Sequence, residues 1–140
     1  MEVCEISEEI KTTFKEFSKG TNVTKNKNCA IVMHVPKGTC EMKVEERLES
    51  LSFEDIGREL PETEPRFVGY LFEWKRGLDR IQYPLVLIFW CPPTGNHTLN
   101  MKYTSTKTHL ENLINPSKCI DITDEDDFTE ENLLEKLLKA

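Results

Sequence analysis

The fold is indicated most clearly by residues 83–93, YPLVLIFWCPP, followed after a short loop by residues 101–107, MKYTSTK. The first stretch predicts a strand that is covered on both faces, because its apolar residues run without alternation. Pro92 and Pro93 break the chain, and a long helix then begins at His97 or Thr98 and reaches about Asn115. The start of this helix carries small polar residues, a methionine and lysines but no catalytic group, which favours a docking surface over a reaction centre.

One face of the long helix is predicted to lie in the core. Successive residues rotate by about 100° around a helix, so one stripe contains Leu99, Tyr103, Thr106, Leu110 and Ile114. The opposite side carries Met101, Ser105, Thr108 and Asn112. Met101 is either an exposed knob for a partner's hydrophobic groove or a side chain packed beneath the loop at residues 92–93, and the periodicity leaves both interpretations open.

The remaining pattern predicts helices on both sides of a sheet. The predicted elements are a helix at 7–18, a polar loop at 20–28, hairpin strands at 29–35 and 40–48, a short helix capped by Ser52, strands at 66–75 and 80–90 joined by a turn, a strand at 117–123, and a C-terminal helix opening at Thr129. This order predicts an α/β fold of the α+β type, with a central mixed sheet of about five strands sandwiched between helices. A length of 140 residues fits one domain, residues 1–140.

Composition excludes several classes of function. The net charge of −7 disfavours nucleic-acid binding, which needs a basic field. The longest apolar run, residues 84–93, is too short to span a membrane, and the start of the chain does not resemble a targeting segment. The five cysteines are odd in number and lack metal-binding spacing, so we expect reduced thiols, no metal and no cofactor in a cytoplasmic protein.

An enzyme is the alternative to a binding module. A nucleophilic cysteine needs a histidine beside it and a group that orients the histidine. Cys91 and His97 are separated by a Pro-Pro turn, and Cys29 and His34 fall on opposite faces of one strand. Phosphate-binding and dinucleotide-binding motifs are also absent from the sequence. A small cytosolic thiol enzyme therefore has less support than a binding module.

The strand and helix quoted above resemble the actin-depolymerising factor homology (ADF-H) family, which includes cofilin. The shared pattern is Met101, Tyr103, Ser105 and Lys107 after residues 88–92, IFWCP, and the resemblance covers nearly the whole chain. Within the family, the glia maturation factor branch is similar in further short stretches. These are VCEI at 3–6, ELP at 59–61, PRF at 65–67, YPL at 83–85, DFTEE at 127–131 and LEKL at 134–137.

The resemblance implies a regulator of the actin cytoskeleton. Members of this branch bind the actin-related protein 2/3 (Arp2/3) complex at filament branches, inhibit branch nucleation and promote debranching. Cofilin-like actin binding and severing is the alternative function. It has less support, because Thr98 and Asn100 are neutral where cofilin-type members carry basic residues. We expect a monomer that takes the Arp2/3 complex as its partner and binds actin weakly, without nucleic acid or membrane.

The resemblance also implies two partner-binding surfaces. Surface 1 combines the N-terminal segment with the long helix and includes Cys4, Glu5, Met101, Ser105 and Lys107. Surface 2 lies at the tip of the hairpin between the two long strands, beside the C-terminal helix, and includes Trp74, Lys75, Arg76 and Arg80. Two positions depart from the family pattern: His109 replaces a frequent lysine, and the turn reads Leu78-Asp79-Arg80 instead of Asp-Gly-Arg.

Overall fold

The computed structural model describes residues 3–17 and 19–139. Within them, the strands are β1 (Glu5–Ile6), β2 (Ala30–His34), β3 (Glu41–Leu48), β4 (Arg66–Leu71), β5 (Trp74–Lys75), β6 (Ile81–Gln82), β7 (Leu85–Trp90) and β8 (Lys118–Ile122). The helices are α1 (Glu8–Phe17), α2 (Asn22–Lys25), α3 (Phe53–Glu59), α4 (His97–Ile114) and α5 (Glu130–Leu138), with a 3-10 turn at Glu125–Asp127.

A mixed six-stranded sheet organises the chain in the order β1-β3-β2-β4-β7-β8. The inner neighbours are antiparallel, whereas β1 runs parallel to β3 and β8 runs parallel to β7. The prediction of a mixed sheet is therefore confirmed. The prediction of about five strands missed β1, because a two-residue strand is too short to show alternation. The short helix α2 was also missed, since it lies within the stretch predicted as a polar loop.

Each face of the sheet carries its own apolar layer. One layer packs α1 and α4 against β4 through residues such as Phe14, Phe67 and Tyr103. The other packs α3 and α5 against the opposite face through residues such as Ile56, Val68 and Leu133. All residues of β4 and β7 are buried, so successive side chains serve alternate layers. The predicted placement of the sheet between helices is confirmed.

The predicted long strands at 66–75 and 80–90 are wrong as continuous elements. Strand β4 ends at Leu71, and β7 begins only at Leu85. Proline lacks a backbone N–H, and Pro84 interrupts the ladder, where its carbonyl accepts a hydrogen bond from the Phe72 amide at 3.1 Å. Beyond this break, β5 and β6 form a separate two-stranded ribbon. The hairpin tip is therefore a small ribbon joined to the sheet and not an extension of it.

A β-bulge in β3 supplies the partner of a buried arginine. The pairing shifts between Val32↔Glu46 and Met33↔Val44, which leaves Glu45 as the extra residue. Its carboxylate accepts hydrogen bonds from Arg66 Nε at 2.9 Å and Nη2 at 3.2 Å. Burial of Arg66 opposes its charged form, but the hydrogen bonds that Arg66 donates to Glu45 and Glu64, together with the negative charge of Glu45, outweigh burial and raise its pKa. The bulge thus keeps Arg66, which is only 8% exposed, in an ion pair.

The predicted start of α3 and the predicted ends of α4 agree with the observed caps. Ser52 and Asp55 form a capping box at the start of α3, where each side chain accepts from the other residue's amide at 3.1 Å. Asn96 caps α4 by accepting a hydrogen bond from the Leu99 amide at 3.0 Å. Asn115 ends α4 in the left-handed conformation, with a φ of 53°.

Gly69 provides a test of the packing between β4 and α1. A Cβ atom at this position would overlap the ring of Phe14, which is itself buried in the first layer. We expect Gly69→Ala to lower the free energy of unfolding by about 1–3 kcal/mol, because the ring must move within a packed core. Gly77→Ala is the matched control, since a Cβ atom there meets open space, and its effect should stay within about 0.5 kcal/mol. Urea unfolding midpoints measure both, and equal changes would contradict the packing argument.

Candidate functional site

The N-terminal segment is attached to the sheet edge and to α4. The amides of Glu5 and Ser7 donate to the carbonyls of Cys40 and Met42, each at 3.0 Å. The Cys4 amide donates to Thr106 Oγ1 at 2.9 Å, in a buried environment. Thr106 Oγ1 in turn donates to the Lys102 carbonyl at 2.8 Å. One hydroxyl group therefore fixes the start of the chain against the long helix.

Thr106 was predicted as a core residue, but its role in the site was missed. The available signal was a polar residue within an otherwise apolar stripe, because a fully buried hydroxyl requires a hydrogen-bond partner. Nothing local identified that partner as the Cys4 amide, which lies 102 residues away in the sequence.

The side chain of Cys4 faces the core and not the solvent. It is 1% exposed, and its Sγ lies 2.7 Å from Sγ of Cys40. This position corrects the expectation that Cys4 offers its side chain to a partner. Because side chains alternate along a strand, the next residue, Glu5, is exposed and is available on surface 1.

The outer face of α4 is partly covered. Met101 and Ser105 are half-buried, while Thr104 and Thr108 are exposed. Met101 is therefore neither a fully exposed knob nor a core residue. On the inner side, the Tyr103 hydroxyl accepts a hydrogen bond from the Val35 amide at 2.6 Å, and its ring stacks on Phe67 at 5.7 Å between ring centroids. The inner side of α4 is thus fixed to the core, and the outer face carries Met101 and Ser105.

Lys107 is neutralised by its own chain. Its Nζ lies 2.7 Å from Asp121 on β8 and 3.9 Å from Glu111 one turn along α4. The side chain is 26% exposed, so a partner reaches this ammonium only in part. Lys102, nearer the start of α4, donates to the Thr39 carbonyl at 3.3 Å and so connects the helix to the β2–β3 turn.

The two neutral positions before Met101 differ in their environment. Thr98 is exposed, whereas Asn100 is half-buried and its Oδ1 has no hydrogen-bond partner among the described residues. Asn100 lies against Gly95, where a Cβ atom would come within 2.7 Å of the Thr63 carbonyl. The loop before α4 therefore packs closely, and Thr98 is the position of the pair that is directed to solvent. Surface 1 consequently carries little available positive charge.

Surface 2 is basic and exposed. Residues 75–80 contain Lys75, Arg76 and Arg80 against a single acid, Asp79, and all are exposed. The Arg76 guanidinium lies over the Trp74 ring, 4.3 Å from its centroid, which orders the base of the ribbon. Trp74 is half-buried and packs with Leu134 and Leu137 of α5 against the second layer. The structure therefore places the base of the ribbon beside the C-terminal helix.

The thiols beside surface 1 are poorly suited to nucleophilic chemistry. Burial and the neighbouring Glu111 raise the pKa of Cys119 to about 11, and burial also raises the pKa of Cys91. Both groups therefore stay protonated at neutral pH, whereas the thiolate is the reactive form. Within residues 3–17 and 19–139, no cluster of three or more potential metal ligands occurs, and no helix is long and apolar enough to cross a membrane.

Thr106 tests how the N-terminal segment is held. Thr106→Val keeps the shape but removes the acceptor of the buried Cys4 amide, which should cost about 1–3 kcal/mol in the free energy of unfolding. Thr104→Val is the matched control, because Thr104 is exposed and its hydroxyl donates only to the Asn100 carbonyl within α4. Urea unfolding gives the stability of both variants, and hydrogen exchange reports the Cys4 amide. Unchanged protection of that amide in Thr106→Val would refute the assigned role.

Known proteins are similar to this chain in sequence. Residues 3–138 match the family model of cofilin/tropomyosin-type actin-binding proteins. Human glia maturation factor beta is 33% identical over 137 residues, which cover 96% of this chain and 93% of that protein. The glia maturation factor of Drosophila melanogaster is 30% identical and covers 97% of this chain and 96% of its own length.

Solved structures of proteins in the same family are similar to this chain in fold. The solution structure of glia maturation factor from Caenorhabditis elegans has a TM-score of 0.79 and 29% identity, with 97% of this chain and 96% of that chain covered. The crystal structure of Streptomyces griseoflavus cofilin has a TM-score of 0.81 at 24% identity, over 96% and 97% of the two chains, and so shares the fold. The chain therefore belongs to the ADF-H (cofilin) family, in its glia maturation factor branch, and is an actin regulator of this type and not an enzyme.

Proposed function

We propose that this protein binds the Arp2/3 complex at actin-filament branches, inhibits the nucleation of new branches and promotes debranching. The observation that carries the proposal is the low available charge of surface 1: Thr98 is neutral and exposed, and Lys107 is paired with Asp121. The glia maturation factor relatives support the same assignment. A cytoplasmic location in branched actin networks follows from this proposed function.

Surface 1 is preorganised for insertion into an actin-like cleft. The start of α4 is capped by Asn96, anchored by Tyr103 and held beside β1 through Thr106. A surface that is already ordered loses little conformational entropy on binding. Debranching then requires only that the protein bind the released state of the branch more tightly than the intact branch.

Cofilin-like severing is the alternative. Cofilin-type members are expected to use basic residues where this chain has Thr98 and Asn100. Each desolvated charge-assisted contact contributes roughly 1.5–3 kcal/mol to binding, so two neutral positions lower the affinity for an actin subunit. Of the two, Asn100 is also half-buried beneath the preceding loop. These features favour the Arp2/3 complex over bare filaments.

The proposed function is tested by comparing partners and one pair of variants. The wild-type protein should bind purified Arp2/3 complex and sediment only weakly with pure actin filaments. Lys107→Ala should raise the Kd for the complex by about tenfold. The substitution removes a cation from surface 1 and leaves the carboxylates of Asp121 and Glu111 without their ion-pair partner. Arg58→Ala is the matched control, since Arg58 also pairs with an aspartate, Asp55, at 2.7 Å, but lies on α3 in the other layer.

A fluorescence titration gives the affinities, and co-sedimentation gives filament binding. Strong severing of bare filaments, or an Arp2/3 affinity that responds equally to both substitutions, would argue against the proposal.

Surface 2 is expected to act after binding. Arg80 lies at the exposed tip of the ribbon, where its carbonyl accepts the Arg76 amide at 2.8 Å, so a side-chain substitution leaves the turn intact. Arg80→Ala should reduce the debranching rate more than it reduces affinity, whereas Lys107→Ala should reduce affinity and should debranch at close to the wild-type rate once the complex is saturated. Branch counts by fluorescence microscopy, measured at saturating protein, separate the two effects. Parallel losses of rate and affinity in both variants would rule out separate roles for the surfaces.

A further inference from the structure

Cys4 and Cys40 face each other across the edge of the sheet. The parallel register pairs Glu5 with Glu41, so the residues that precede each of them are also neighbours. Their Sγ atoms lie 2.7 Å apart, roughly 0.7 Å beyond the length of a disulfide bond, which is about 2.05 Å. Neighbouring strands lie about 4.8 Å apart, which is within the Cα separation that a disulfide requires. A bond between these sulfurs therefore needs little backbone movement.

The two thiols differ in access to solvent. Cys4 is 1% exposed and belongs to the first apolar layer. Cys40 is half-buried and follows the exposed turn at residues 37–39. A small oxidant can therefore reach Cys40 first, while Cys4 lies in position to resolve the oxidised sulfur. Reactive and resolving thiols in such proximity are typical of reversible redox sites.

We propose that Cys4 and Cys40 form a reversible disulfide when the protein meets a peroxide. The Cys40 thiolate attacks one peroxide oxygen, the O–O bond breaks, and a sulfenic acid forms with release of hydroxide. The sulfur of Cys4 then displaces the hydroxyl group from the Cys40 sulfur, and the thiol proton of Cys4 leaves with it as water. Two thiols are oxidised, and one hydrogen peroxide is reduced to two water molecules. A dithiol reductant reverses the bond by thiol–disulfide exchange.

The disulfide would fix the N-terminal segment of surface 1. At present β1 is held by the amides of Glu5 and Ser7, together with the Cys4 amide on Thr106. Short terminal segments open locally at low cost in free energy. A covalent link at Cys4 would prevent β1 from separating from β3. Oxidation at this site would therefore reduce the mobility of the N-terminal segment of surface 1.

The test treats the reduced full chain with hydrogen peroxide, alkylates the remaining thiols and maps the digested peptides by mass spectrometry. We expect a monomeric product that has lost two hydrogen atoms, with the peptides of Cys4 and Cys40 linked. Hydrogen exchange at Glu5 and Ser7 should slow by about tenfold or more and recover after dithiothreitol. Cys40→Ser should abolish both changes. Cys91→Ser is the matched control, because Cys91 is also half-buried and should leave both changes intact.

Several outcomes would overturn the proposal. A link that joins other cysteines, a disulfide between two molecules, or oxidation of Cys40 to sulfinic or sulfonic acid without a link would each do so. Unchanged exchange at Glu5 and Ser7 in the linked product would refute the effect on surface 1. Circular dichroism and urea unfolding of Cys40→Ser establish that the variant is folded. Cys4→Ser provides a second test of the link from the buried side.

Discussion

Strands β4 and β7 must be covered on both faces, and the rest of the structure depends on this constraint. Their twelve residues are buried, and their side chains alternate between two apolar layers. Exposure of either face would leave large apolar side chains in water, at about 25 cal/mol for each Å². A helical layer on each side is the solution that the chain adopts. It places α4 with α1 on one face and α5 with α3 on the other.

This layering determines where the two candidate surfaces lie. Surface 1 is built on α4 and the neighbouring strand β1, whereas surface 2 is built on the ribbon that packs beside α5. The charges are distributed in the same way. Lys107 is paired on surface 1, while Lys75, Arg76 and Arg80 form an exposed cluster on surface 2 of a chain with a net charge of −7. Surface 1 therefore offers little available positive charge, whereas surface 2 carries an exposed basic cluster.

Polar groups that are buried, or that pair with buried ones, join neighbouring elements at specific points. Thr106 joins the N-terminal segment to α4, and the bulge residue Glu45 pairs with Arg66 on β4. Each such group would carry a desolvation cost without its partner, so each favours one arrangement of the elements. The same region brings Cys4 and Cys40 together. The position of the N-terminal segment therefore depends on a few hydrogen bonds at one edge of the sheet.

Much of the fold was predictable because its signals are local. Helical spacing over residues 99–114 identified the core face of α4, and Ser52 with Asp55 identified the start of α3, since periodicity and capping act over a few residues. The buried run at 85–90 likewise predicted a covered strand.

The sequence by itself thus determined most of the helices and strands, their order and the family pattern. Only the tertiary structure decided the pairing of β1, the burial of Cys4 and the neutralisation of Lys107 by Asp121. The physical reason is that each of these features depends on contacts between residues far apart in the chain, such as the hydrogen bond between the Cys4 amide and the Thr106 hydroxyl. Periodicity and capping carry no information about such distant partners.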